Sequence, residues 1–332
     1  MKSQMDTVVK QVAAKTKRKL YLDSVSRSIL FLLVAYALMC FFLSLIAPNF
    51  FSIRNVTNVL RQMSMIGIIG VGMTMVIISG EIDLSVGSTA AFSGVLCALM
   101  TVQWKMPFAL AALFTVTIAC CCGFLIGLLR VVVRIPSFIT SLALLTGLRS
   151  GAFLLSGGFS ISPLPSYIDF LGNGMVGPFP IPVVLMGFLY VVGFIVMSDT
   201  PWGRAVYAVG GNEEAARLSG IVVPQIKLGV FIITAALASI AGLILASRLN
   251  SGTPTVAQGW ELDVIAAVII GGTSLFGGSG NVLGTLLGAL FMATLQNGMV
   301  LMGLPPFSQG VVSGIVILAA VVMGALQSRT AR

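Results

Sequence analysis

The chain has 332 residues with a net charge of +9, no histidine, 57% hydrophobic residues and 9% charged ones, whereas soluble domains carry about 25% charged residues. This composition excludes a soluble globular protein, and the missing histidine excludes histidine-based acid–base catalysis, Ser-His-Asp triads and His-ligated metals. Basic residues beside apolar stretches report membrane orientation, so the positive charge makes no case for a nucleic-acid partner.

A hydrocarbon core of about 30 Å takes about 20 apolar residues per helix. The chain therefore reads as all-α, a polytopic transmembrane helical bundle of about ten spans. Residues 1–28 form a basic tail, with Lys2, Lys10, Lys15, Lys17, Arg18, Lys19 and Arg27 opposed only by Asp6 and Asp23. The apolar stretch from Ile29 to Ala47 is longer than a signal-peptide core and reads as an uncleaved first helix. Residues 48–61 predict a short interfacial helix capped by Ser52. Further spans are expected at 62–80, 84–102, 107–129, 136–156, 181–198, 228–247, 263–276, 282–302 and 308–326. They complete a membrane domain over 29–326, followed by a short tail over 327–332. Cys40, Cys97 and Cys120 to Cys122 all fall in apolar stretches and read as small packing residues. With both termini inside, fourteen basic residues lie in inner segments, against Arg54, Arg61, Lys105 and Arg248 outside. The same orientation places residues 157–180, which contain no lysine or arginine, on the outer face, where a soluble partner could sit.

Four polar interruptions carry the candidate chemistry. The first is Glu81-Ile82-Asp83-Leu84-Ser85-Val86-Gly87-Ser88. A charged side chain at mid-bilayer costs at least about 2.5 kcal/mol, so Glu81 and Asp83 must face a water-filled path, a partner or the interface. Asp83, Ser85 and Ser88 can equally cap the next helix. The second interruption, residues 199–227, predicts a short helix on the inner face. Asn212 caps it, Glu213 and Glu214 suit its positive end, Arg217 follows Glu213 by four residues on the same face, and Gly220 gives a left-handed stop. It is shorter than the roughly 12 residues an isolated helix needs, so it must dock to be ordered. The third, Glu261 and Asp263 after Trp260, stands at the entrance of a span, where the acids cap the helix or meet a polyhydroxylated solute. The fourth, Gly271 to Gly280, lacks the lysine of a phosphate-binding loop, so the chain is not its own ATPase and not an enzyme. Gly123 and Gly127, and Gly280, Gly284 and Gly288, recur every four residues, the spacing that lets membrane helices approach closely. A short echo between 76–80 and 268–272 suggests an internal repeat.

Glu214-Ala215-Ala216 followed by Gly220 and Ile221 resembles the EAA-type coupling loop of ABC importer permeases. Together with Gly80 to Ser88, Gly210 to Gly220, Glu261 to Val268 and Gly271-Gly272-Thr273-Ser274, the chain from about residue 30 to 326 resembles the ribose, xylose and arabinose class of bacterial ABC permeases. That resemblance implies a type II ABC importer-like fold in the bacterial inner membrane, with two permease subunits, identical or paralogous, passing a monosaccharide by alternating access. It implies a periplasmic or extracellular sugar-binding protein on the outer face. It further implies an ATPase on the cytoplasmic face that carries ATP and Mg, so that this chain binds no cofactor. By matching position, Gly211, Asn212, Glu213, Glu214, Arg217 and Gly220 form the ATPase-coupling surface. Glu81, Asp83, Ser85, Ser88, Arg149, Glu261 and Asp263 are the path or gating candidates, although Arg149 can also snorkel to the interface or cap a helix. The competing reading is a stand-alone transporter driven by a proton or sodium gradient, with Asp83 and Glu81 as its titratable groups.

Overall fold

The computed structural model describes residues 29–330. The expected basic tail over 1–28, and the last two residues of the expected C-terminal tail, lie outside the described residues. In chain order the helices are α1 (Ile29–Ile46), α2 (Ile53–Ile78), α3 (Val86–Ala98, prolonged by a wider turn to Gln103), α4 (Phe108–Leu128, similarly prolonged to Val133) and α5 (Ser137–Ser156). Next come α6 (Asp169–Asn173), a small hairpin of β1 (Met175–Val176) and β2 (Phe179–Pro180), α7 (Ile181–Asp199), α8 (Pro201–Gly211) and α9 (Glu213–Leu218). The chain closes with α10 (Val223–Leu249), α11 (Trp260–Ile270), α12 (Val282–Leu301) and α13 (Pro306–Thr330). Among the described residues, eight helices are long and apolar enough to cross a membrane: α1 to α5, α7, α10 and α12.

Two expected boundaries change. The interfacial helix over 48–61 and the span over 62–80 are one continuous helix, α2, whose cap Ser52 accepts from the Asn55 N–H at 3.3 Å. At 26 residues it is about 39 Å long, which outlasts the hydrocarbon core by more than one turn. The expected span over 263–276 is the 11-residue α11, about 16 Å long and half a bilayer deep.

The packing inverts the pattern of a soluble helix. On α4 the buried stripe is Ala111, Thr115, Ala119, Gly123, Ile126 and Gly127, while Leu113, Phe114 and Phe124 point outward. Lipid offers no hydrophobic drive for helices to associate, so small residues face protein and large apolar ones face the acyl chains. Within that stripe, a side chain at Gly123 would meet the Phe231 carbonyl of α10, and one at Gly127 would meet Leu228. Gly284 and Gly288 of α12 abut the backbone of Gly271 and Ala267 in the same way, and Gly280 lies against Thr273.

Two long buried helices organise the bundle: α10 packs on α2, α3 and α4, and α2 packs on α10, α11 and α12. Each is followed by a non-helical segment, 79–85 or 250–259, that leads into a further helix. The echo between 76–80 and 268–272 is a shared cap. Gly80 and Gly272 have φ of +79° and +89°, and the Glu81 and Thr273 N–H groups donate back to Val76 and Val268 carbonyls at 3.1 and 3.2 Å, as left-handed glycine caps do. The helices so ended differ in length and packing.

Segment 250–259 enters the bundle. Gly252, bridged to Ile161, abuts Gly94, Val95 and Ala98 of α3, while Ala257 lies beside Gly87. Seven residues of α3 rise about 10 Å, so non-helical backbone runs that far alongside it. Such backbone is tolerated at membrane depth only where protein or a wet cavity satisfies its polar groups.

Candidate functional site

The loop over 199–227 is built by successive caps. Thr200 accepts from the Gly203 N–H at 3.0 Å to start α8, and Asn212 Oδ1 accepts from the Ala215 N–H at 2.9 Å to start α9. Gly220 has a φ of +86° and ends the turn. The six-residue α9 is held by its buried Ala216 and by Ile221, which packs on the main core. Loss of the Asn212 cap in Asn212→Ala should loosen α9 by about 1 kcal/mol, seen as faster amide exchange at Ala215 than in the parent protein.

The expected pairing of Glu213 with Arg217 is not formed. Arg217 instead donates to Glu214, from Nε at 3.1 Å and Nη2 at 2.6 Å, and its hydrogen bonds hold the Glu214 carboxyl below its ordinary value. Glu213 turns inward because a buried cation is available there. Lys227 Nζ, in the second turn of α10, lies 2.7 Å from Glu213 Oε2 and 2.7 Å from Glu81 Oε1. Arg130, in the prolonged end of α4, closes the circuit at 2.8 Å from Glu81 and 3.8 Å from Glu213. Four alternating charges from four chain segments thus form a ring. Its burial is graded: the side chains of Lys227 and Glu81 are 4% and 6% exposed, while Glu213 is 53% exposed. An open groove of about 540 Å³ beside the ring is lined by Arg130, Arg134, Glu213, Glu214, Arg217 and Lys227.

From Glu81 the extended connector leads into the bundle. The Ile82 and Leu84 N–H groups donate to the Ser137 and Ser141 hydroxyls of α5 at 3.2 and 3.1 Å, which supplies partners that a strand neighbour would otherwise give. Asp83 is fully buried, and its Oδ1 accepts from the Ser85 N–H at 2.8 Å and the Ser85 hydroxyl at 2.6 Å. Ser85 occupies the cap position of α3 without a side-chain cap bond, and the Ser88 hydroxyl donates to the Ser85 carbonyl at 2.8 Å. These three residues build the start of α3.

A second polar group lies deeper. Arg149 neither snorkels nor faces open space: Nη1 donates to the Pro254 and Val256 carbonyls at 2.9 and 2.6 Å, and Nη2 to Ala257 at 3.2 Å. It is the clamp that satisfies the re-entrant segment. Left-handed Gly259 (φ +79°) then starts α11, whose first turn carries Glu261 and Asp263. Asp263 faces Gln296 of α12, and Gln296 Oε1 accepts from Gln62 Nε2 at 3.0 Å. Farther along the same seam, Asn55 and Asn297 exchange two amide hydrogen bonds at 2.9 Å each. The two polar groups meet at Gly87, where an added side chain would meet Glu261, Ala257 and Trp260.

The family profile described as "Branched-chain amino acid transport system / permease component" matches residues 55–321, a span that contains both polar groups and the α8–α9 loop. The chain belongs to this permease family. It is 40% identical to the ribose import permease protein RbsC of Haemophilus influenzae, over 87% of this chain and 90% of the relative. It is 41% identical to the probable ABC transporter permease protein YphD of Escherichia coli, over 89% of each chain. Identity to the xylose transport system permease protein XylH of Escherichia coli is 35%, over 88% of this chain and 90% of the relative. No solved structure matches the chain.

Within this multi-pass permease, sequence reasoning missed Lys227, Arg130, Ser137, Ser141, Gln62 and Gln296. Lys227 and Arg130 were counted as orientation signals, yet each abuts an apolar run, and a buried cation there needs an acid. The two glutamines had a weaker signal, as amides inside otherwise apolar stretches.

Proposed function

We propose that this permease is the membrane-spanning subunit of a binding-protein-dependent ABC importer for a monosaccharide, a pentose or hexose, in the bacterial inner membrane. The carrying observation is α9, a capped helix docked on the bundle that presents Glu214 and Arg217, two-thirds exposed, and Leu218, 74% exposed. A helix of this size with an apolar knob beside an ion pair suits a groove on a soluble partner. In this reading Gly211, Asn212, Glu213, Glu214, Arg217 and Gly220 shape the surface that meets the ATPase, and ATP and Mg are held by that partner. A second permease subunit, identical or paralogous, completes the pore.

The ribose and xylose relatives favour a sugar over an amino acid as cargo, and the polar seam agrees. A zwitterion needs a free cation for its carboxylate, whereas Arg149 is committed to three carbonyls. Asp263, Gln62 and Gln296 offer the mixed acceptors and donors that suit hydroxyl groups. We place the sugar path along this seam, with Glu261 and Asp263 at its wall. The ion-coupled alternative rests on Asp83, with Glu81 joining it. Asp83 Oδ1 is engaged by Ser85 at the start of α3, and the ties of Glu81 to Lys227 and Arg130 weigh against its role as an exchangeable acid.

Leu218→Asp tests the coupling surface. Burying a leucine contributes about 1.5 to 3 kcal/mol, so ATPase retained on the purified permease should fall at least about tenfold. Full retention would remove α9 from the contact.

A further inference from the structure

We infer that Lys227 is the positioning residue that transmits movement of the coupling helix to the sugar path, with Glu213 as its releasable partner and Glu81 as its permanent one. The inference rests on the permease reading above and deepens it. Lys227 Nζ is 2.7 Å from both carboxylates, but the two differ in what separation costs. Glu81 and Lys227 are 6% and 4% exposed, and because Arg130 also holds Glu81, parting the two would strand the Lys227 charge in the bundle. Glu213 is 53% exposed and can exchange its partner for water. When α9 is pulled or tilted, the Glu213 contact yields and the neutral Lys227–Glu81 pair survives.

What Glu81 does next is fixed by the chain. It sits on the connector whose Ile82 and Leu84 N–H groups are held by Ser137 and Ser141, and six residues after Glu81, Gly87 lies against Glu261 and Trp260 in the first turn of α11. A contiguous set of contacts therefore leads from α9 through Lys227, Glu81 and the start of α3 to the polar seam. Spatial contiguity alone does not establish coupling. The ring has the property coupling requires, two arrangements in which the buried charges stay paired.

The test measures labelled sugar uptake and ATP hydrolysis in the same proteoliposomes, with the permease reconstituted beside its ATPase and binding protein. Glu213→Gln and Lys227→Met should each lower sugar moved per ATP hydrolysed by about tenfold, within the range of interaction energies between contacting groups. Lys227→Arg, which keeps a cation between the carboxylates, should stay within about twofold of the parent, a rescue that a space-filling role would not produce. The inference is overturned if Glu213→Gln keeps the parent ratio, or if Lys227→Arg falls as far as Lys227→Met. Glu213→Gln alters a half-exposed side chain, so it decides the matter even if Lys227→Met fails to insert. Failure of the permease reading is separate, since it would show as absence of ATP-dependent uptake by the parent protein.

Discussion

Arg149→Met is expected to be among the most damaging single substitutions in the bundle. The guanidinium donates to the carbonyls of Pro254, Val256 and Ala257, in a segment with no helix of its own that lies against α3. Methionine fills similar space but donates nothing, and each buried carbonyl left without a partner costs about 1 to 3 kcal/mol. Three of them give at least about 3 kcal/mol, a large part of the 5 to 15 kcal/mol that separates a typical folded domain from its unfolded chain. Removing this cation also leaves the neighbouring Glu261 carboxyl, whose Oε2 already has no hydrogen-bond partner, without its compensating charge. The measurement is the thermal midpoint of the detergent-solubilised protein, together with proteolysis within 250–259. Arg149→Lys should recover only part of the loss, because an ammonium cannot span three carbonyls as a planar fork does. A midpoint unchanged in Arg149→Met would refute the clamp.

Adjacent glycines at the end of α8 give the second large effect, and they should behave oppositely. A side chain at Gly210 would collide with the Ile78 carbonyl and the Gly278 nitrogen, the two atoms joined by a 2.8 Å hydrogen bond from the Gly278 N–H to Ile78. That bond ties the α11–α12 loop to the end of α2, and Tyr207 reinforces the seam by donating to Gly280 at 3.1 Å. Valine at 210 must part these backbones, at about 1 to 3 kcal/mol for overpacking and roughly 1 kcal/mol more for the hydrogen bond. It would also displace the platform that carries α9, so uptake should fall well beyond tenfold. At Gly211 the nearest atom to an added methyl is Gly278 Cα at 4.0 Å, ordinary contact, and Gly211→Ala should keep the parent's thermal midpoint and far more uptake than Gly210→Val. Equal loss in both variants would show that the loop tolerates no side chain for reasons other than this seam.

Much of the outline was legible because a membrane simplifies the code. Apolar runs marked most helices, and the small-residue spacing at Gly123, Gly127, Gly284 and Gly288 pointed to faces that lie against neighbouring backbones. The short helix after Asn212 was legible because its cap, acids and terminal glycine are local signals. Partner choice was not local. Glu213 was assigned to Arg217 four residues away, but Lys227, fourteen residues on, is buried and demands a carboxylate, and the desolvated cation outcompetes the exposed one. Likewise α11 reads as a span by composition, while its true length is set by left-handed Gly259 before it and the Gly271-Gly272 stop after it. Arg149 was read from its place along α5, and nothing in a one-dimensional pattern shows three carbonyls converging on it from more than a hundred residues away.

The measurement that bears most directly on the whole account is uptake of labelled ribose, xylose and a hexose panel into proteoliposomes containing this permease, with its ATPase and binding protein each added or withheld. The account predicts accumulation of one sugar only when both partners and ATP are present, and none when a proton or sodium gradient is imposed on the permease alone. Gradient-driven uptake by the lone chain would contradict it and return Glu81 and Asp83 to the role of ion-coupling acids.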